Sequence, residues 1–351
     1  MGLQREIFSE MILLTGGAGY IGSHLSLELL RQGQEIVILD NMSNSNCDAP
    51  NVFKKLFEGK CIVVRGDVRS KSCLARVFSK YSIQKVIHLA AYKSVFESMN
   101  QPLKYYDNNV TGLISLLDVM ESFGRKSLIF SSSATVYKRQ RGPKFFVESD
   151  EIFCPPNPYG STKFICEQII GDWCRADSER CAGVLRYFNP VGADDSALIG
   201  EQITAGSANL VPALMSCALG LTSHFCIYGT DYETSDGTAV RDFVHISDLI
   251  QGHVKALVKS DHDAGLNVWN LGTGLGITVA QVVERFESLI GRSLPKLYQD
   301  RREGDVAISV ADISKASKEL DFVPKFGIDD MLRSQWAWAS KYSQSRSSSV
   351  V

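Results

Sequence analysis

Tyr159 and Lys163 lie four residues apart in the run Pro158-Tyr159-Gly160-Ser161-Thr162-Lys163. On a helix that spacing puts both side chains on one face. An ammonium beside a phenol stabilises the phenolate and draws a tyrosine pKa down from ~10. The pair therefore offers a general base able to take the proton of a hydroxyl. Upstream, an apolar run ends in Ser131-Ser132-Ser133-Ala134-Thr135-Val136-Tyr137. Serine hydroxyls both donate and accept, and Ser133 is the candidate relay between a substrate and Tyr159. Capping of a turn is the other reading of the same hydroxyl. A lone Tyr-x-x-x-Lys is common on half-exposed helices, so its weight depends on the elements that carry it.

Those elements alternate along the first half of the chain. Short apolar runs at Met11–Leu14, Ile36–Leu39, Ile62–Val64, Val86–Leu89, Ser127–Phe130 and Val184–Tyr187 read as strands buried on both faces. Helical spacing occupies about Ser23–Arg31, Lys71–Lys80, Val110–Ser122 and Ser161–Ala176, with Gly33 as a stop after the first helix. Strands alternating with helices predict a doubly wound parallel sheet of the α/β class. Ligands of such sheets gather at the carboxyl ends of the strands, where Ser131–Ser133 falls. After Asn189-Pro190 the rhythm turns irregular, and Gly192–Gly206 reads as a long functional loop. The expected division is a sheet domain over 11–189 and a smaller mixed domain over 190–340, with some chain crossing between them. The ends, 1–10 and the Ser-rich 341–351, are expected to fray.

The first strand runs into Thr15-Gly16-Gly17-Ala18-Gly19-Tyr20-Ile21-Gly22. Glycines at 16, 19 and 22 supply a tight turn, close backbone approach to a pyrophosphate, and close packing of helix on strand. The helix that follows points free N–H groups at phosphates. The context, strand before and helix after, makes this a Rossmann-type dinucleotide site. Asp40 ends the second strand 18 residues past Gly22, placed to accept from the adenosine ribose hydroxyls. A carboxylate there repels a 2′-phosphate, which favours NAD over NADP. A bound nicotinamide ring, being positive, would lower the Tyr159 pKa further. Asp67, after the third strand, suits either the adenine or a surface turn.

Other chemistries find no support. Lys+Arg number 37 against 39 Asp+Glu, so no basic excess suggests nucleic acid. Nine cysteines show neither Cys-x-x-Cys pairs nor zinc-finger spacing and read as reduced thiols. No metal site is expected. Six dispersed histidines include His24 and His88, which read as satisfied core residues. No apolar run approaches the ~20 residues of a membrane span, and residues 1–10 lack a signal-peptide core. A soluble cytoplasmic protein is expected, with no membrane partner.

The glycine loop, the Ser-Ser-Ser-Ala-Thr-Val-Tyr run and Tyr-x-x-x-Lys together resemble the extended short-chain dehydrogenase/reductase family. Downstream, Tyr105–Val110, Leu185–Gly192, Val240–His245 and Arg301–Asp305 resemble its UDP-glucose 4-epimerase branch, in order over about residues 11–340. The resemblance implies that Tyr20, Ile21, Asp40, Asn41, Met42, Ser43, Asn44, Ser45, Asp67, Val68, Leu89, Ala90, Ala91, Lys93 and Asn108 line an NAD site. Lys93 would also lie near the substrate diphosphate, and Phe188 would pack on the nicotinamide. Asn189, Asn209, Leu210, Tyr228, Arg241, Arg302 and Asp305 would hold a UDP-sugar. Arginines suit bidentate phosphate contacts and Asp305 a ribose diol. The implied reaction is a transient oxidation that inverts carbon 4 through a 4-keto sugar. The alternatives are a sibling nucleotide-sugar dehydratase or reductase, and a non-catalytic NAD-binding protein. Ala134 and Thr135 stand where dehydratases of the family carry an acid. Ser309 stands where many members carry a bulky Tyr, so N-acetylated hexoses are expected to fit. Gly200–Ser207 departs from the family pattern. A homodimer through the helices near Val110–Ser122 and Ser161–Ala176 is also implied.

Overall fold

The computed structural model describes residues 11–45, 49–137, 145–153, 155, 157–207, 209–260, 263–302 and 305–347. The chain opens with β1 (Met11–Thr15), α1 (Tyr20–Arg31), β2 (Glu35–Asp40), α2 (Ala49–Leu56), β3 (Cys61–Arg65) and α3 (Lys71–Lys80). Then come β4 (Ile83–His88), α4 (Val95–Asn100), α5 (Pro102–Tyr105), a π-helical turn (Tyr106–Thr111) and α6 (Gly112–Ser122). β5 (Ser127–Ser133) leads through a 3-10 turn (Ala134–Val136) to α7 (Pro158–Ala176), β6 (Cys181–Tyr187) and β7 (Asn189–Val191). The rest comprises α8 (Leu210–Ala218), β8 (Phe225–Tyr228), β9 (Val240–His245), α9 (Ile246–Lys259), β10 (Gly265–Leu271) and β11 (Gly276–Thr278). It ends with α10 (Val279–Ile290), β12 (Lys296–Gln299), β13 (Ile308–Ser309), α11 (Ser314–Leu320) and α12 (Ile328–Ser347).

Seven strands form one parallel sheet in the order β10-β6-β5-β4-β1-β2-β3. Alternation explains why both faces are buried. Ile12, Leu14 and Ile38 point into one apolar cluster with Leu25 and Leu29 of α1 and Ile250 of α9. Leu13 and Val37 point into the other, with Leu74, Leu116 and Ile170 of α3, α6 and α7. Leu13 and Leu14 are both fully buried, so truncating either to Ala would cost about 2–5 kcal/mol. The strand order reverses between β1 and β4, and a crevice opens there at the carboxyl ends.

A second sheet joins β11, β9 and β13, with β7 on β9, and a two-stranded sheet joins β8 and β12. Val211, Leu214, Phe243, Phe286 and Met331 form the core of this part. β10 returns to the edge of the large sheet although it follows 190 in sequence, because Gly265–Leu271 pairs with Cys181–Tyr187.

Several boundaries differ from the sequence reading. α1 begins at Tyr20 and α7 at Pro158, each three residues earlier than expected, since Gly19 and Asn157 act as N-caps. The predicted helix at Val110 begins instead inside the π-helical turn, and the sixth strand starts at Cys181. The Ser-rich end was expected to fray from 341, yet α12 runs to Ser347.

Candidate active site

The glycine loop is a cradle that side chains would fill. Gly16 has φ +72°, and a Cβ there would lie 2.6 Å from the Ala90 nitrogen. A Cβ on Gly22 would lie 2.1 Å from the Gly16 carbonyl oxygen. Gly19 precedes α1 and has no side chain to cap it, which leaves the first-turn N–H groups to a ligand. A cleft opens above, lined by Gly16, Gly19, Asp40, Asn41, Ser43, Asn44, Ser45, Val68, Leu89, Ala90, Ala91 and Asn108. Leu39, Gly66 and Tyr92 line it too. These walls fit a dinucleotide: small residues at the turn, a helix N-terminus for phosphate, and a carboxylate at the far end.

Asp40 has a structural duty as well. Its Oδ2 accepts from the Ala18 N–H at 3.1 Å, and its Oδ1 from the Met42 N–H at 2.9 Å and the Ser45 hydroxyl at 2.7 Å. The carboxylate thus ties the glycine loop to the segment after β2. Five residues of the expected NAD lining, Tyr20, Ile21, Met42, Asp67 and Lys93, lie outside the cleft walls. Met42, at φ +61°, packs against the apolar core. Ile21 joins it there. Asp67 is gripped by Arg69, whose Nη2 donates to it at 2.7 Å and whose Nε donates at 2.9 Å. Those bonds hold the Asp67 carboxyl down at about 2. Lys93 turns to Glu201, Nζ to Oε1 at 2.7 Å, and lies over the Tyr20 ring. Tyr20 itself opens α1 and donates from its hydroxyl to the Gly192 carbonyl at 2.7 Å.

Tyr159 sits in the first turn of α7. Asn157 caps that turn, its Oδ1 accepting from the Gly160 N–H at 2.8 Å, and Pro158 takes the first helical position. The Ser133 hydroxyl lies beside the phenol and lowers its pKa. Ser133 also accepts from the Thr135 N–H at 3.2 Å, so its hydroxyl caps the 3-10 turn. The buried Lys163 donates from Nζ to the Ser131 carbonyl at 2.7 Å and lies over the Phe130 ring. One expectation needs correcting. Burial raises the Tyr159 pKa, opposed only by the Ser133 hydroxyl, whereas a neighbouring ammonium was expected to lower it. Burial brings Lys163 down to about 8.

A brace behind this pair was also missed. The Asn109 amide donates to the Thr162 hydroxyl at 3.0 Å and to the Tyr92 carbonyl at 3.1 Å. Asn108 and Asn109 are consecutive yet both buried, within the π-helical turn. Such bulges recur at functional sites, and the paired Asn in Asn108-Asn109 was the available signal. The expected core histidines are satisfied: His88 bonds Thr15 at 2.6 Å and His24 bonds the Tyr20 carbonyl at 2.7 Å.

The remaining candidates cluster around β9. Arg241 donates from Nη1 to the carbonyls of Val240 and Val306, both at 2.9 Å, and its Nη2 is 3.6 Å from Asp305. Ser309 is the register partner of Arg241. Arg302 lies over the Tyr228 ring at 3.8 Å, and its charge depresses the pKa of Arg241 after burial has done so. Two guanidinium groups that sense each other suit a ligand with two negative charges. Asn209 is the exposed N-cap of α8, and Leu210 packs on the second core. Asn189 pairs with Phe243 at the start of β7. Phe188 is buried with Tyr137, Phe146 and Ala311.

A UDP-glucose 4-epimerase of Bacillus subtilis is 44% identical over 330 residues, covering 94% of this chain and 96% of that one. The crystal structure of a UDP-glucose-4-epimerase from Stenotrophomonas maltophila, with bound NAD and formylated UDP-arabinopyranose, superposes with TM-score 0.90 at 38% identity. It covers 96% of this chain and 99% of that chain. A Bifidobacterium longum UDP-glucose 4-epimerase in complex with NAD+ and UDP gives TM-score 0.89 at 41% identity, covering 94% and 98%. The NAD dependent epimerase/dehydratase family matches residues 12–272, and with that match over the glycine cradle and the Ser133–Tyr159–Lys163 group, the chain belongs to this family.

Proposed function

We propose that this chain is an isomerase that interconverts UDP-glucose and UDP-galactose at carbon 4, with NAD as its cofactor. The carrying observation is the convergence of Ser133, at the carboxyl end of β5, with Tyr159 and Lys163 on α7, where Lys163 donates to the Ser131 carbonyl at 2.7 Å. Bound NAD supplies acceptance and return of a hydride at carbon 4. Tyr159 takes the 4-hydroxyl proton and later gives it back, and Ser133 passes it between sugar and phenol. Lys163 supplies the positive charge that offsets the cost of ionising a buried phenol. The 4-keto sugar turns over between the two transfers, so no oxidant is consumed. Incubation with UDP-galactose tests this. Conversion to UDP-glucose without net NADH is expected, and release of a free keto sugar would sink it.

The large sheet with its glycine cradle, Asp40, Asn108 and Phe188 would hold NAD. Arg241, Arg302, Tyr228, Asp305, Asn189, Asn209 and Leu210 would hold the UDP portion, so that binding energy far from carbon 4 retains the intermediate. Ser309, small and adjacent in register to Arg241, supports a pocket that also admits N-acetylated UDP-hexoses. Equal handling of UDP-N-acetylgalactosamine and its gluco epimer is expected. No turnover of either, beside fast UDP-galactose, would remove that extension.

We read the protein as a homodimer. Phe96, Met99 and Leu103 on α4 and α5 and Ile114 on α6 are exposed apolar side chains next to the two helices expected to pair. Light scattering should give a dimer, converted to monomer by Leu103→Glu. Among the described residues no helix is long and apolar enough to cross a membrane. The described cysteines are free and mostly buried, which supports a reducing cytoplasm.

A further inference from the structure

The 192–207 loop contains no helix and no strand beyond β7. Its order comes from contacts with α1 and α12. The Gly192 N–H donates to the Gln335 side chain at 2.9 Å, and the Trp338 indole donates to the Glu201 carbonyl at 2.8 Å. Gly200 lies flush on that indole, since a Cβ there would be 2.4 Å from the ring. The Glu201 carboxylate, only 13% exposed, then faces Lys93, whose side chain is 48% exposed.

We infer that Glu201 is a positioning residue for the cofactor: it holds the Lys93 ammonium over the Tyr20 ring at the start of α1, and Trp338 holds Glu201. This rests on the reading of the glycine loop as the NAD cradle. A lysine with four rotatable bonds loses much freedom when it must stay at one place. Glu201 settles that cost in the folded chain before any ligand arrives. A fixed positive charge then stands 5.5 Å from the ring of Tyr20, the residue that opens α1, whose N-terminus would take the phosphates. The carboxylate also limits how far Lys93 can swing towards solvent. α12, far away in sequence, thereby contributes to keeping the cofactor bound through the two hydride transfers.

The test uses the full chain purified with its cofactor, and compares Glu201→Gln, Trp338→Phe, Lys93→Ala and the double variant Lys93→Ala with Glu201→Gln. Trp338→Phe keeps an aromatic ring against Gly200 and removes only the indole donor. The expected result for Glu201→Gln is a rise in KM for added NAD of about fivefold, in keeping with a half-exposed ion pair. Its kcat at saturating NAD should change by less than about twofold. Less NAD should survive repeated gel filtration, Trp338→Phe should shift in the same direction, and the double variant should match Lys93→Ala alone. Unaltered retention in Glu201→Gln, or a loss that adds in full to that of Lys93→Ala, overturns the inference. If the unaltered chain neither holds NAD nor converts UDP-galactose, the underlying reading fails and takes this one with it. If the unaltered chain does both while Glu201→Gln is indistinguishable from it, only the positioning role fails.

Discussion

Lys163 reaches from α7 to β5 and donates from Nζ to the Ser131 carbonyl oxygen, 2.7 Å away. Two positions along the strand, Ser133 lies beside the Tyr159 phenol and lowers its pKa. The ammonium is thus anchored by backbone, and its height relative to the phenol is set by the sheet. Lys163→Met removes the charge and leaves a buried carbonyl without its donor, at a cost of about 1–3 kcal/mol. Turnover should fall by about 10²–10⁴-fold, the range of general acid–base catalysis. Tyr159→Phe should lose as much turnover with less effect on thermal unfolding, because it keeps the ring and removes only the hydroxyl. Rates and melting curves of the two variants, measured side by side, separate chemistry from packing. Equal turnover in Tyr159→Phe and the parent chain would remove Tyr159 from the mechanism.

Gly22→Ala should disable the cradle without touching the catalytic pair. The added Cβ would lie 2.1 Å from the Gly16 carbonyl oxygen and 2.7 Å from the Gly17 Cα, both backbone atoms with little room to move. α1 must then lift from β1, as in an overpacked core that costs about 1–3 kcal/mol. The bound NAD content of the purified variant should drop sharply. Gly59→Ala is the control, since nothing lies within 4 Å of a Cβ there, although its φ of +80° adds some local strain.

How much of this could be read in advance depended on sequence distance. The glycine triplet, Asp40 and the Tyr159/Lys163 pair are local patterns, each within one strand, turn or helix start, so residue type and spacing were enough to pick them out. The alternating strands announced the sheet for the same reason. The pairing of Ser309 with Arg241 joins strands far apart in the chain, and no periodicity encodes it. Only the family resemblance pointed there. Glu201 was invisible, because its meaning comes from Trp338 on α12 and Lys93 after β4. The π-helical turn at Tyr106–Thr111 was also illegible: one extra residue per turn rotates Asn108 and Asn109 inward, and the residue types alone still read as a helix start. The Tyr159 pKa went the other way from expectation because burial, a property of the whole fold, outweighed the opposing effect of Ser133.

Arg302 stacks on Tyr228 and shares an electrostatic neighbourhood with Arg241. Arg302→Lys keeps the charge but loses the planar fork and the stack. KM for UDP-galactose should rise by about tenfold or more, with a weaker effect on kcat, since the contact serves a part of the substrate that does not react. UDP inhibition should weaken in parallel. A kcat loss at unchanged KM would place Arg302 elsewhere.

Acid should unfold this protein through its histidines. His24, His88, His245 and His253 are all buried. Burial lowers their pKa values to about 4, 3, 4 and 4. In the unfolded chain each would titrate near ~6.5. The folded values lie below the unfolded one, so below pH ~6.5 the unfolded chain binds more protons, and acidification favours unfolding. The stabilising contribution is complete above that pH and is lost as pH falls from there through the folded values. Each histidine can contribute up to about 1.4 kcal/mol per pH unit in that window. Urea midpoints measured from pH 7.5 to pH 5 should therefore fall steeply, and His253→Gln, beside Tyr187 and the Leu249 carbonyl, should flatten the slope by about one proton. A midpoint that stays level across this range would mean that these rings find room to charge inside the folded chain.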